Sequence, residues 1–350
     1  MPEVQEIVEE LREEPKAVLH ILRIVPIVLV VGLIIHFLLP RIDTIQAALQ
    51  TLRTMAPWAI ALALTMETLS YLANGELLQS VVALTGEHIS LRRAAAIEIA
   101  AGTVAIVAAG ALGFGASIYR WTRDSGLSQR AAMLASWLPS LFDSATLVLF
   151  ALISAIELLR VHELSRPMLI ALIVVISALV AIIAAVIALL ARNDWLIALS
   201  IFAARLIQRI RPTADDVRFV EAAERAAQTW HTLRGGGWIR PAISSLLFVT
   251  FDLLCLRYAF LAAGQHPHFT LLLAGYGVPL LLGRASFVPG GIAVIEVAMA
   301  AIFSGLGVPG SAAVVIVLVY RLISFWMPAL IGIPIAIGLQ SRKRRTEKVA

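Results

Sequence analysis

Three stretches of this chain, Pro167 to Ala191, Val297 to Tyr320 and Leu322 to Ser341, run without a single charged residue. A helix rises 1.5 Å per residue, and crossing the hydrocarbon of a bilayer takes about 20 residues. Each stretch is long enough to do so. The composition excludes the other explanation, a large buried core, because 60% of the 350 residues are hydrophobic and only 15% are charged. A soluble domain carries about 45–50% apolar and roughly 25% charged residues. No run alternates as barrel strands do, and lipid forces backbone polar groups to pair within each span. The sequence therefore predicts an all-α polytopic integral membrane protein.

Apolar runs predict full transmembrane helices near 21–39, 55–84, 131–159, 168–191, 241–263 and 311–340. Two further segments, 92–124 and 270–306, are apolar but broken by glycine. The N-terminus, residues 1–20, is acidic and no small-residue cleavage pattern follows Ile24 to Pro40, so the first span reads as uncleaved. The net charge of +5 belongs to topology: arginines sit at helix ends and are not gathered with aromatics into a nucleic-acid face. Cys255 is the single cysteine and lies in a hydrophobic run, which excludes a disulfide framework.

Positive charge marks the cytoplasmic side. It places there the tail Arg342, Lys343, Arg344, Arg345 and the connection 192–240 with its eight arginines, whereas the loops near 264–269 and 304–311 hold no Lys or Arg. Both termini are then expected in the cytoplasm of a prokaryote, with the chain in its inner membrane. Segment 270–306 begins and ends outside, so it is expected to enter the membrane and return. Its arms are 270–287 and 291–304, and Phe287-Val288-Pro289-Gly290-Gly291 turns it, since proline removes a donor and glycine permits helix-ending angles. Segment 92–124 is flanked by Arg92, Arg93, Arg120, Arg123 and Arg130, which predicts a second re-entrant hairpin from the cytoplasmic side, turning near 109–115.

Sliding the chain by 181 residues lays 126–132 on 307–313 without a gap and Gly110 on Gly291. The same shift lays helix 55–84 over 241–263 and helix 131–159 over 311–340. The expected layout is an inverted repeat, 55–159 and 241–340, joined by the basic, amphipathic connection 192–240, in which Trp195, Leu196, Phe202, Leu206 and Ile210 alternate with arginines. Such a connection suits an anionic leaflet surface, or it is a solvated linker.

Broken helices in inverted repeats characterise transporters, with substrate near the midplane. A half-helix starting inside the membrane exposes N–H groups and about half a positive charge, which favours a phosphate or carboxylate. Gly290 and Gly291 would allow close approach of such a group; the alternative is a Pro-Gly kink that only bends a packed helix. Charges predicted within membrane segments are Glu67, Glu76, Glu98, Asp143, Asp252, Arg257, Arg284, Glu296 and Arg321. Each costs about 2.5–3.5 kcal/mol at the centre of a span and so pairs or lines a wet cavity. Glu76, Arg257 and Glu98 are assigned to the membrane surfaces. Glu296 is expected to pair with Arg321 or Arg284, either to hold the hairpin or to meet a head group. No P-loop, HExxH or nucleophile elbow occurs, so neither an ATPase nor a cofactor site is read, and His266-Pro267-His268 reads as a plain loop.

Phe287-Val288-Pro289-Gly290-Gly291-Ile292-Ala293-Val294-Ile295-Glu296, then Gly305-Leu306-Gly307-Val308-Pro309 and Tyr320-Arg321-Leu322-Ile323-Ser324-Phe325-Trp326, resembles the C-terminal signature of the lysylphosphatidylglycerol synthase transmembrane-region family. This is the flippase-like domain of the multiple peptide resistance factors. The resemblance covers nearly the whole chain as a single flippase-like domain, 1–350. It implies movement of lipid between leaflets by a member lacking the synthase domain, and therefore no enzyme. It also implies a site drawn from Pro289, Gly290, Gly291, Glu296, Arg284, Tyr320 and Arg321, with Gly110, Gly113 and Asp143 in the first half. In that half Ala109 stands where the family has Pro, and Pro139 and Ser140 replace a Glu-Arg pair. The expected ligand is a membrane phospholipid or other polar lipid with an anionic or zwitterionic head group. A separate lipid-synthesising enzyme is an expected partner. Two other roles fit such a chain: a non-transporting, lipid-binding accessory of lipid or envelope biosynthesis, and an integral membrane enzyme acting on a lipid phosphate.

Overall fold

The computed structural model describes residues 50–107, 111–161 and 236–346, apart from 52 and 287, with isolated positions between 170 and 188. All regular structure among the described residues is helical. In chain order the helices are α1 (Pro57–Ala83), α2 (Leu91–Val107), α3 (Ala111–Arg123), α4 (Gln129–Val161), α5 (Ile239–Ala262) and α6 (Phe269–Ala285). A 3₁₀ turn (Pro289–Gly291), α7 (Val294–Gly305), α8 (Gly310–Arg321), a π-helical segment (Leu322–Trp326) and α9 (Met327–Thr346) follow. The expected first span, the acidic terminus, most of the connection 192–240 and Gly110 lie outside the described residues. Of 168–191, the described positions are helical.

Three helical stretches are long and apolar enough to cross a bilayer: Gln129–Ile153, Ile239–Ala262 and Gly310–Ser341. Their outward faces carry Leu149, Leu152, Ile153, Leu330, Ile331 and Ile337 exposed, as lipid allows and water disfavours. Helices α6 and α7, with 17 and 12 residues, reach only about 25 and 18 Å at 1.5 Å per residue, short of the roughly 30 Å hydrocarbon core.

α1 and α5 pack as an antiparallel pair. The Ala56 N–H donates to Ala262 O at 2.9 Å, the Ser70 hydroxyl to Phe248 O at 3.1 Å, and Arg240 meets Glu76 at 2.7 Å. These partners climb one helix as they descend the other. α6 and α7 form a second antiparallel pair: a Cβ on Gly275 would meet the Phe303 ring at 2.0 Å, and one on Gly283 would meet Ile295 at 2.4 Å. α2 and α3 form a third, with Arg93 Nε donating to Ser125 Oγ at 2.8 Å where the pair closes.

The short pairs lean on the long helices crosswise. α6 packs on α4, with Gly277 against the Ala151 backbone, while α2 packs on α9, where a Cβ on Gly332 would lie 1.9 Å from Thr103 Oγ1. Thr103 donates from there to Ala329 O at 3.0 Å. Small residues let these backbones approach closely, the interface chemistry of helices that have no hydrophobic drive between them in lipid.

Three boundaries depart from the sequence reading. The arms 270–287 and 291–304 are shifted to 269–285 and 294–305, because Ala293 turns at φ +67° and the second arm starts only after it. The turn expected near 109–115 is over by Ala111, so Gly113 lies inside α3. The span near 311–340 is one trajectory but is widened into π geometry over Leu322–Trp326. Pro328 has no N–H for the carbonyl of Ser324 four residues back, and Tyr71 Oη donates to that oxygen at 3.2 Å.

Candidate functional site

The second broken pair turns through Val288 to Ala293. Gly290 (φ +65°, ψ 7°) and Gly291 (φ +62°) occupy left-handed angles that proline cannot reach and that cost other residues about 1–2 kcal/mol. Ala293, also left-handed, is the sole non-glycine with positive φ among the described residues. Such angles persist where the surroundings enforce them. A Cβ on Gly290 would lie 2.5 Å from Phe325 Cζ, and one on Gly291 would lie 2.9 Å from the Gly283 backbone. The close approach anticipated for a ligand phosphate is thus made here by the protein itself, by the π segment on one side and α6 on the other.

Arg321, the last residue of α8 before the π segment, ties this turn to the long helix. Its Nε donates to Glu296 Oε1 at 2.6 Å, its Nη2 to Gly290 O at 3.2 Å, and its guanidinium lies 4.2 Å from the centroid of the Phe325 ring. Of the two pairings open from sequence, Glu296 takes Arg321. Arg321 is buried at 5% exposure, and three protein partners occupy it. Glu296 is engaged through one oxygen only; Oε2 has no partner.

Arg284 turns away to the first half. It reaches Asp143 Oδ2 at 3.6 Å and donates to Ser144 Oγ at 3.0 Å, with its side chain 39% exposed. Asp143 also accepts from Ser245 at 3.3 Å, and Ser245 is 2.7 Å from Thr146 Oγ1. Arg284 directly follows Gly283 and Glu296 directly follows Ile295, residues that face each other across the α6–α7 pair. Arg284 thus leaves a half-exposed guanidinium at the end of α6, whereas the unpartnered oxygen of Glu296, in the first turn of α7, is buried.

Pro289, Gly290, Gly291, Glu296 and Arg321 come together as the sequence suggested, and Arg284 joins Asp143. Tyr320 does not belong with them: it is 1% exposed and its hydroxyl donates to both oxygens of Asp252, at 3.0 and 2.9 Å. Glu98, assigned to a membrane surface, is 3% exposed within the bundle, where Asn74 Nδ2 donates to it at 3.4 Å and Oε1 is left unpartnered. One turn of α1 carries Asn74 and Tyr71 on the same inner face, which draws α2's acid inward. Glu76, inside α1, pairs with Arg240 at the start of α5. Sequence reasoning noted Glu67 and Asp252 as intramembrane acids but gave them no common site. The signal was the pairing of helices 55–84 and 241–263, whose antiparallel register brings the two residues level.

The family model described as the lysylphosphatidylglycerol synthase transmembrane region matches residues 23–332. A UPF0104 membrane protein of Methanothermobacter thermautotrophicus is 40% identical over 90 residues, 26% of this chain and 27% of that protein. A second, from Pyrococcus horikoshii, is 25% identical over 202 residues, 55% of this chain and 59% of its own length. The matched regions thus span about a quarter and somewhat over half of these relatives.

Proposed function

Because the chain belongs to the lysylphosphatidylglycerol synthase transmembrane-region family, we propose that it is a membrane lipid transporter that moves a lipid with an anionic or zwitterionic head group between leaflets. The observation that carries this reading is the α6–α7 turn, with the half-exposed Arg284 at the end of one arm and the buried, unpartnered oxygen of Glu296 at the start of the next; the proposed mouth for the lipid lies between these two residues. A lipid phosphate pairs with Arg284 in place of its long contact to Asp143. An ammonium, where the head group has one, meets Glu296 Oε2 once that buried oxygen is uncovered as the turn opens. The acyl chains stay in the bilayer beside the exposed apolar faces.

Two short antiparallel pairs at corresponding positions, each leaning on the long helix of the other half, are what a six-span frame with two re-entrant hairpins in an inverted repeat requires. The antiparallel packing of α1 against α5 supports the same layout, because the 181-residue shift makes them equivalents and inversion reverses one of them. Arg321 is the girder of this arrangement: it holds the second turn, so its role is to fix the mouth rather than to meet the head group.

The test is leaflet translocation of labelled anionic, zwitterionic and aminoacylated phospholipids in liposomes containing only this protein. Wild type is expected to move at least one class, with Arg284→Gln and Glu296→Gln both slowed tenfold or more while remaining folded. A protein that binds lipid in these liposomes but leaves the leaflet distribution unchanged refutes transport and establishes the accessory, non-transporting role.

A further inference from the structure

We propose that Glu67 and Asp252 form a proton-binding site at the middle of the membrane, between the antiparallel helices α1 and α5, and that its proton is the coupling ion for lipid movement. The coupling rests on the transport reading above; the site itself does not.

The position follows from register. Ala56 meets Ala262 at one end of the α1–α5 pair and Glu76 meets Arg240 at the other. Glu67 stands 11 residues from the first and nine from the second, or roughly 15 Å of helix from each end. That depth is where an ionised side chain is least tolerated, so a residue kept there is functional by default.

The partners define the chemistry. Asp252 accepts from Tyr276 Oη at 2.6 Å and from Tyr320 Oη at its two oxygens. Donation from two phenols, Tyr320's shared between both oxygens, suits a carboxylate, which accepts and has no hydrogen to give. The antiparallel register sets Glu67 level with Asp252 and beside Cys255 of α5. Two carboxylates cannot hydrogen-bond each other without a proton between them, so the pair carries one, and Glu67, the more deeply buried of the two and without a phenol on it, is where it resides. Glu67 is 5% exposed, yet its Oε2 has no hydrogen-bond partner. A buried carboxyl oxygen without a donor is what a carboxylic acid presents, whereas a carboxylate so placed would carry a heavy desolvation cost.

Among the described residues Arg321 is the cation that acts on Asp252, and none acts on Glu67. α1 contributes Tyr71, α5 Cys255, α6 Tyr276 and α8 Tyr320, none of them cationic. The nearest guanidinium, Arg321, is held by Glu296 of α7 and by Gly290 O. Glu98 of α2 and Asp143 of α4 add negative charge at longer range. A metal ion would need a cluster of three or more His, Cys, Asp or Glu ligands, and no such cluster occurs among the described residues. A proton needs only the two carboxyls. Asp252 keeps partial exposure while Glu67 has almost none, so the proton enters and leaves by way of Asp252. Tyr320 immediately precedes Arg321, which links occupancy of this site to the turn that holds the mouth.

Infrared difference spectroscopy of the purified full chain in nanodiscs reads the site directly. A protonated-carboxyl C=O band near neutral pH, present in wild type and missing in Glu67→Gln, is expected; an identical band region in the two proteins overturns the site. Tyr320→Phe, which leaves both carboxyls in place, serves as the second variant: it should move the band without abolishing it, and an unmoved band also counts against the arrangement. In liposomes, an imposed pH gradient is expected to raise lipid movement several-fold in wild type and to leave Glu67→Gln at its gradient-free rate. Lipid movement indifferent to the gradient in wild type overturns the coupling. If no lipid moves under any condition, transport has failed while the spectroscopy still decides the site.

Discussion

Replacing Gly290 by alanine adds one methyl group to the turn, and the structure divides its effect into two separable parts. The backbone there has φ +65°, and an L side chain at such angles costs about 1–2 kcal/mol. The added Cβ would also sit 2.5 Å from Phe325 Cζ, where ordinary contact begins at 3.4 Å, so the ring must retreat by about 0.9 Å. Overpacking of that kind costs roughly 1–3 kcal/mol. Together the terms predict a loss of about 2–5 kcal/mol, measured as reversible unfolding of the purified protein in mixed detergent micelles.

Phe325→Leu tells the parts apart. Alone it removes the ring beneath the Arg321 guanidinium, 4.2 Å away, a contact worth about 0.5–2 kcal/mol. Combined with Gly290→Ala it removes the clash but leaves the backbone strain. The double variant should therefore be less damaged than the sum of the singles by about 1–3 kcal/mol. Additivity within about 0.5 kcal/mol, the behaviour of independent sites, would refute the packing of this turn against the π segment, as would a Gly290→Ala protein as stable as wild type.

Three further outcomes follow from contacts elsewhere. Arg321→Ala leaves Glu296 and Gly290 O without their partner and should cost about 3–5 kcal/mol in the same unfolding assay, the usual effect of breaking a buried pair, with Arg321→Lys intermediate because an ammonium lacks the fork that spans both acceptors. Ser245→Ala removes the contacts to Thr146 and Asp143 and should cost about 1–3 kcal/mol. Glu87, in the loop after α1, accepts the N–H of Ser128 at 2.8 Å and its hydroxyl from the loop before α4, and these bonds hold that carboxyl below its ordinary value of 4.5. A depressed carboxyl stabilises the fold above its unfolded pKa and loses that contribution as pH falls through the folded one. The melting-temperature difference between wild type and Glu87→Gln should thus be full at neutral pH and close as the pH drops below 4.5; a pH-independent difference would contradict it.

Helix positions were legible because their signals are local. Apolar runs placed α4, α5 and α8–α9 to within a few residues, and Pro289-Gly290-Gly291 placed the second turn. The first turn was harder: Ala109-Gly110-Ala111-Leu112-Gly113 offers several glycines and no proline, so nothing local tells a helix start from a break. The π segment was invisible because its cause is a non-local partner, the Tyr71 hydroxyl that takes up Ser324 O after Pro328 leaves it free. Charges were legible as anomalies but not as pairs. Glu296 had two arginines within reach along the chain, and only the packing of α8 against the turn chose Arg321.

The 181-residue shift sharpens that last point. It carries Thr103 onto Arg284, and both reach across to the long helix of the other half, Thr103 to Ala329 O and Arg284 to Asp143 and Ser144. The same shift lays Gly115 on Glu296, Ser140 on Arg321, Tyr71 on Asp252 and Glu67 on Phe248. Position is thus repeated where charge is not. On the proposed inverted repeat, the two halves supply the same helices to both leaflets, while the clamp exists only on the side of the second turn. A lipid head group would meet a charged mouth from one leaflet and a neutral one, Thr103 in place of Arg284, from the other. Exchanging the two residues, with arginine at 103 and threonine at 284, should then reverse the leaflet from which labelled anionic lipid is preferentially taken; unchanged sidedness would show that Arg284 is not what distinguishes the two openings.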